Sequence, residues 1–294
     1  MGPYGSSNTK TVRLLVPLLC FLLRPGKLSA QVQEQKPQEF YELASQQFTK
    51  GDFAGAKASF TRAIELDSLY AEAYRGLGMA DLELKDYEGA YRAWLKAGDL
   101  NPQDEKSKYF LGRLFYEADI PNQAAAWLRE ALKLKPDDYQ AMTYLGLSAE
   151  ALGYDQTALQ LYRKALAASK SQNHPYSWAF LSLANFLKKH GDEKEALSVL
   201  EEGSKKCPEA HELAALGELL AAHNEPQRAE QVLRQAIILD SALSQPHYRL
   251  GLLLKSLGRL DESRAEMIKF QAAKRQEDQA PKITVLQKQV STSP

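Results

Sequence analysis

Residues 73–81 read AYRGLGMAD. Gly76 and Gly78 interrupt a run that otherwise favours helix. A turn that cradles phosphate and a helix packed too closely for side chains would both place glycine here. A dinucleotide loop needs a third glycine where Asp81 stands, a strand before it, and a helix N-terminus aimed at the ligand. The rest of the chain answers differently. Leu77-Gly78 returns as Leu111-Gly112, Leu145-Gly146, Leu216-Gly217 and Leu250-Gly251, at steps of 34, 34, 71 and 34 residues. Leu183-Ala184 divides the gap of 71, and Leu43-Ala44 lies 34 residues before the first pair. Alanine does not readily adopt positive φ, so the position demands small size rather than unusual dihedrals. The stretch is a packed helix and not a nucleotide loop.

Other columns keep the same step. Small residues recur as Ala56, Ala90, Ala124, Ala158, Ala196, Ala229 and Ser263. A second series is Ala63, Ala97, Ala131, Ala165, Gly203, Ala236 and Phe270. Between them fall the large residues Phe60, Trp94, Leu128, Tyr162, Leu200, Leu233 and Met267. Breakers at Asn101-Pro102, Lys135-Pro136 and Cys207-Pro208 close units, as do Asp67-Ser68 and Asp240-Ser241, while Gly51, Gly153, Gly191 and Gly258 mark turns inside them. Apolar residues recur at i, i+3, i+4 and i+7, which predicts two amphipathic helices per unit and no strands.

This pattern resembles the tetratricopeptide repeat family over seven units, about 37–70, 71–104, 105–138, 139–172, 177–209, 210–243 and 244–277. The resemblance implies an all-α, right-handed superhelical solenoid of helix-turn-helix units. A lone helix pair cannot bury its apolar face, so neighbours share a continuous core. The first-helix aromatic is kept as Phe40, Tyr74 and Phe180, and replaced by Lys108, Met142, Leu213 and His247. The insertion at 171–175 is expected to bend or loosen the array. Polar residues of Gln271–Gln279 suit a solvent-facing cap, and residues 278–294 are expected to be a disordered tail.

In that family, first helices line a concave groove through unit positions 2, 5, 9 and 12, one face of a helix. Carried onto this chain, the resemblance nominates Arg75, Lys106, Tyr109, Arg113 and Tyr116 as the main partner-binding patch, with Trp178, Asn185, Lys188, Tyr248 and Lys255 further along. Cations beside tyrosines favour an acidic or C-terminal peptide with an apolar anchor. Two specialised subfamilies do not fit. The carboxylate clamp for chaperone tails wants Lys and Asn where Tyr41 and Ser45 stand, and the asparagine ladder of sugar transferases is absent.

The remaining signals narrow the class. The 294-residue chain carries 37 basic and 37 acidic residues, so it has no global field for nucleic acid. Lys10 and Arg13 precede the apolar run Leu14–Leu23, and a small-residue cut after Ala30 follows. Residues 1–30 therefore read as an export signal and 31–36 as a linker, which makes the protein secreted or periplasmic. Retention of residues 14–23 as a membrane anchor is the alternative, since Leu28 is bulky for the position three residues before the cut. Cys207 is then the sole cysteine of the mature chain, expected as a packed apolar residue. No catalytic constellation, cofactor motif or metal-ligand spacing stands out, and the five histidines do not pair with carboxylates or cysteine at ligand spacing. The expected function is a non-enzymatic, protein-binding scaffold, touching membrane only through an uncleaved N-terminus.

Overall fold

A computed structural model describes residues 36–172 and 175–279, together with Ile283 and Leu286. The signal or anchor reading of 1–30, most of the linker, two residues of the insertion and most of the tail lie outside the described residues. The described chain forms fourteen helices in consecutive antiparallel pairs. These are α1 (Pro37–Thr49) with α2 (Phe53–Leu66), α3 (Ala71–Glu83) with α4 (Tyr87–Leu100), α5 (Glu105–Glu117) with α6 (Pro121–Leu134), and α7 (Tyr139–Ala151) with α8 (Asp155–Lys170). They continue as α9 (Ser177–Lys189) with α10 (Glu193–Lys206), α11 (Ala210–Ala222) with α12 (Pro226–Leu239), and α13 (Ser244–Ser256) with α14 (Leu260–Asp278).

Local chemistry sets the ends. Asp52 and Asp86 cap α2 and α4 by accepting from Gly55 N at 2.9 Å and Gly89 N at 3.0 Å. Asp138 caps α7 through two backbone donors, Gln140 N and Ala141 N, both at 3.0 Å. Proline opens α1, α6 and α12, where its missing N–H costs nothing. Inside every unit, the turn between the two helices contains one residue at positive φ. Four are glycines, Gly51, Gly153, Gly191 and Gly258; the other three are Lys85, Asp119 and Asn224, at φ of 61°, 59° and 62°.

The small column packs as its size pattern requires. A Cβ at Gly78 would fall on the Trp94 indole. At Gly112 it would lie 2.5 Å from Leu128 Cγ, at Gly146 2.6 Å from Tyr162 Cε1, and at Gly217 2.5 Å from Leu233 Cγ. Each glycine thus meets the large residue of its own second helix, and the two columns read from the sequence are the two sides of one contact. Gly76 is different. Its missing Cβ would strike the ring of Phe60, which belongs to the unit before.

Three hydrophobic clusters run along the solenoid, centred on Phe60, on Trp94 with Leu128, and on Tyr162 with Leu200 and Leu233. The third spans the insertion, joining Tyr162 and Leu166 of α8 to Phe180 and Leu183 of α9. Where a loosened joint was expected, α8 is extended to 16 residues and the core packing continues. Ser169, fully buried, accepts from Tyr176 N at 2.5 Å and ties the crossing. In the last pair, Phe270 packs on Tyr248 at 5.1 Å and the end of α14 is exposed apart from Ala273. No helix among the described residues is long and apolar enough to cross a membrane.

Candidate functional site

The first helices α5, α7, α9, α11 and α13 contact one another in sequence, as α1 contacts α3, and with α3 they carry the nominated side chains. In α5, the 4- and 3-residue steps from Tyr109 to Arg113 to Tyr116 align three side chains on one face. Tyr144 of α7 joins them, with ring centroids 6.0 Å from Tyr109 and 5.7 Å from Tyr116, both edge to face. Arg113 donates to Glu117 at 2.7 Å and lies 5.9 Å from the Tyr144 ring. Burial pushes the phenols of Tyr109 and Tyr144 upward, so both remain neutral donors. Arg75 has a different commitment. It donates to Asp104 Oδ1 at 2.7 Å, and Ser107 Oγ donates to the same carboxylate at 2.6 Å. Trp94 Nε1 donates to the Arg75 carbonyl at 3.2 Å, so this residue ties α3 to α4 and to the N-cap of α5.

Further along, a hollow of about 290 Å³ gathers Tyr116, Leu147, Glu150, Trp178, Ser182, Asn185 and Lys189. Trp178 is exposed at 39%, large for an indole, and sits 6.0 Å from the His211 ring of the next first helix. Lys189 donates to Glu150 at 2.9 Å, and Tyr162 OH donates to the same carboxylate at 2.9 Å. Lys188 pairs with Glu218 at 2.9 Å, and Arg249 reaches the other oxygen of Glu218 at 2.9 Å. Tyr248 is half-buried beside Phe270, while Lys106 and Lys255 are exposed. The structure therefore brings Tyr109, Arg113 and Tyr116 together, and joins Tyr116 to Trp178 and Asn185. Arg75 and Lys188 carry structural ion pairs, and Tyr248 lies apart in the last unit.

The sequence reading missed Tyr144 and Arg249; Glu150 and Glu218 fall at groove positions 12 and 9 of their units, but their ion pairs were not read there. A signal existed for the carboxylates, because cross-unit ion pairs recur at offsets near one repeat. Arg75–Asp104 and Lys57–Asp86 are 29 apart, and Lys188–Glu218 is 30 apart. It also missed Glu212, fully buried with neither carboxylate oxygen hydrogen-bonded among the described residues. A Cβ at Gly203 would collide with that carboxylate, so the one glycine in an alanine column makes room for it. Burial raises the Glu212 carboxyl to about 8, helped by the charge of Glu209. Cys207 nearby is half-buried, and its thiol is pushed up to about 12 by burial and then by Glu212 and Glu209, a poor nucleophile at neutral pH. His247, unpaired in the sequence reading, meets Glu266 at 2.6 Å in the core of the last unit. No group of three or more His, Cys, Asp and Glu among the described residues could hold a metal ion.

Comparison with known proteins agrees with this architecture. A family profile described as tetratricopeptide repeat matches residues 41–105 and 109–173. Superkiller complex protein 3 of Mus musculus is 25% identical over 274 residues, covering 88% of this chain but 17% of its own length. The Arabidopsis thaliana protein CTR9 homolog is 30% identical over 115 residues, 38% of this chain and 10% of that protein. This chain thus spans less than a fifth of the relatives it matches. Among solved structures, the APC/C hetero-tetramer Cut9-Hcn1 superposes with a TM-score of 0.67 at 17% identity, over 74% of this chain and 43% of that one. PilW, described as a type IV pilus biogenesis factor, gives 0.61 at 20% identity over 74% and 98%. At such identities the likeness is one of fold.

Proposed function

Because this chain carries tetratricopeptide repeats, stacked as seven helix pairs, we propose that it is an exported scaffold that captures a peptide or helix of a partner protein along its first-helix groove. The observation that carries this reading is the hollow shared by three consecutive units, where exposed Trp178 faces Tyr116, Leu147 and Asn185. An amphipathic indole beside an amide and a phenol supplies an apolar anchor plus hydrogen-bond partners, the composition of binding hot spots. An acidic partner would have to compete with Asp104, Glu117 and Glu218 for Arg75, Arg113 and Lys188. Export rests on the pattern of residues 1–30. A membrane-tethered assembly factor is the second reading, favoured by bulky Leu28 before the cut. N-terminal sequencing of the protein from its host separates the two, because a chain starting at Gln31 is exported free and one keeping Leu14–Leu23 is anchored.

Partner capture is tested with Trp178→Ala combined with Asn185→Ala. The double variant is expected to lose at least tenfold of a partner whose cross-links map to the groove, while helical circular dichroism is unchanged. Undiminished recovery of that partner would sink the proposal.

A further inference from the structure

Two described residues beyond α14 pack against the solenoid. Leu286 is fully buried in the cluster of units two to four, which includes the groove residue Tyr109 and has the groove residues Met79, Leu82, Tyr116 and Leu147 packed against it. Ile283, three residues earlier, packs against the same cluster. Seven residues from Gln279 to Leu286 reach at most about 25 Å when extended, so the end of α14 lies within that distance of Leu286. Two of the cations on that face are already committed, Arg75 to Asp104 and Arg113 to Glu117. What selects an occupant is then the apolar character of the cluster that holds Leu286. The sequence around these two residues, Lys-Ile-Thr-Val-Leu-Gln-Lys from 282 to 288, has no acidic residue.

We propose that this trough is a docking site for a short segment presenting two branched aliphatic side chains three residues apart, and that Ile283 and Leu286 hold it as an internal ligand which a partner displaces. The proposal rests on the groove-capture reading and names the partner's chemistry: an aliphatic, not an acidic, motif. A bound tail has a high effective concentration, so a free segment competes successfully only when it is abundant or better matched. The tail therefore sets a threshold for capture.

The test uses the full chain and a fluorescein-labelled peptide of residues 280–294. The Ile283→Asp/Leu286→Asp variant is expected to bind the peptide by fluorescence anisotropy, and the unaltered chain to bind at least tenfold more weakly. A peptide with the same two changes should not bind. If the variant takes up no peptide at millimolar concentration, or if both proteins bind it equally, the proposal is overturned. A milder Leu286→Ala variant guards against misfolding. Loss of helical circular dichroism in it would make Leu286 a fixed core residue and would also overturn a displaceable ligand. The two readings fail separately. Partner loss at Trp178 without peptide binding removes the aliphatic motif alone, and peptide binding with partner recovery unaffected removes partner capture.

Discussion

Units three and four and units six and seven share a backbone plan, yet they fill the first-helix face with opposite chemistry. In the former, Tyr109, Tyr116 and Tyr144 interlock edge to face, and the cluster they belong to encloses Leu286. In the latter, Ala214 and Ala221 leave the face low, and Glu218 is held between Lys188 and Arg249. The first surface rewards apolar shape, whereas the second presents a charge network that salt weakens. Positions limited by size hold the array together, and the positions between them are free to specialise.

The largest expected effect tests the shared half of that contrast. Gly112→Leu in unit three and Gly217→Leu in unit six should each cost about 3 kcal/mol, the upper end for overpacking, because the new side chain lands on Leu128 or Leu233. Chemical denaturation of both variants measures it. If one is tolerated and the other is not, the two regions differ in frame as well as in surface, and the comparison breaks.

Most of the frame was legible in the sequence for a physical reason. A contact repeated at five glycines forces the same volume restriction on both partners, so Gly78 and Trp94 announce each other through their columns. The groove was legible only as a set of positions. Charges at Arg75 and Lys188 looked available because their partners, Asp104 at the N-cap of α5 and Glu218 of the next unit, lie about one repeat away. Tyr144 escaped because its unit position is not among those the family uses for the groove. Leu286 could not be assigned at all, since a short aliphatic segment carries no register of its own.

The next effect belongs to one region alone. Position three of a unit is small in the middle of the array, as Ala73, Ser107, Ala141 and Ala179, but unit six has Glu212 there with Gly203 opposite. Its carboxyl, raised from 4.5 to about 8 by burial first and Glu209 second, keeps its proton in the folded chain while the unfolded chain gives it up. The folded state thus binds more protons between those values, and stability falls as pH rises from about 4.5 towards 8. The Gly203→Ala/Glu212→Ala variant restores the pattern of the other units. It should be more stable by about 2 kcal/mol at pH 8, with the gain shrinking towards pH 4.5. Thermal unfolding across that range checks it. A gain that is the same at every pH would mean that packing, not the proton, distinguishes this unit.

The smallest effect concerns the turns, where the units differ least. All seven turns hold one residue at positive φ, but Lys85 does so at 61° with a Cβ that the conformation disfavours, whereas Asn224 does so at 62° with a side chain that tolerates it. Lys85 is exposed, so no packing offsets its strain. Lys85→Gly should therefore stabilise by about 0.5–1 kcal/mol, the relief of strain exceeding the added freedom of the unfolded chain. Asn224→Gly should change little, because relief and entropy nearly cancel. Paired denaturation curves decide the matter. Equal responses would show that the turn is indifferent to its residue, and that glycine at Gly51, Gly153, Gly191 and Gly258 answers to something other than φ.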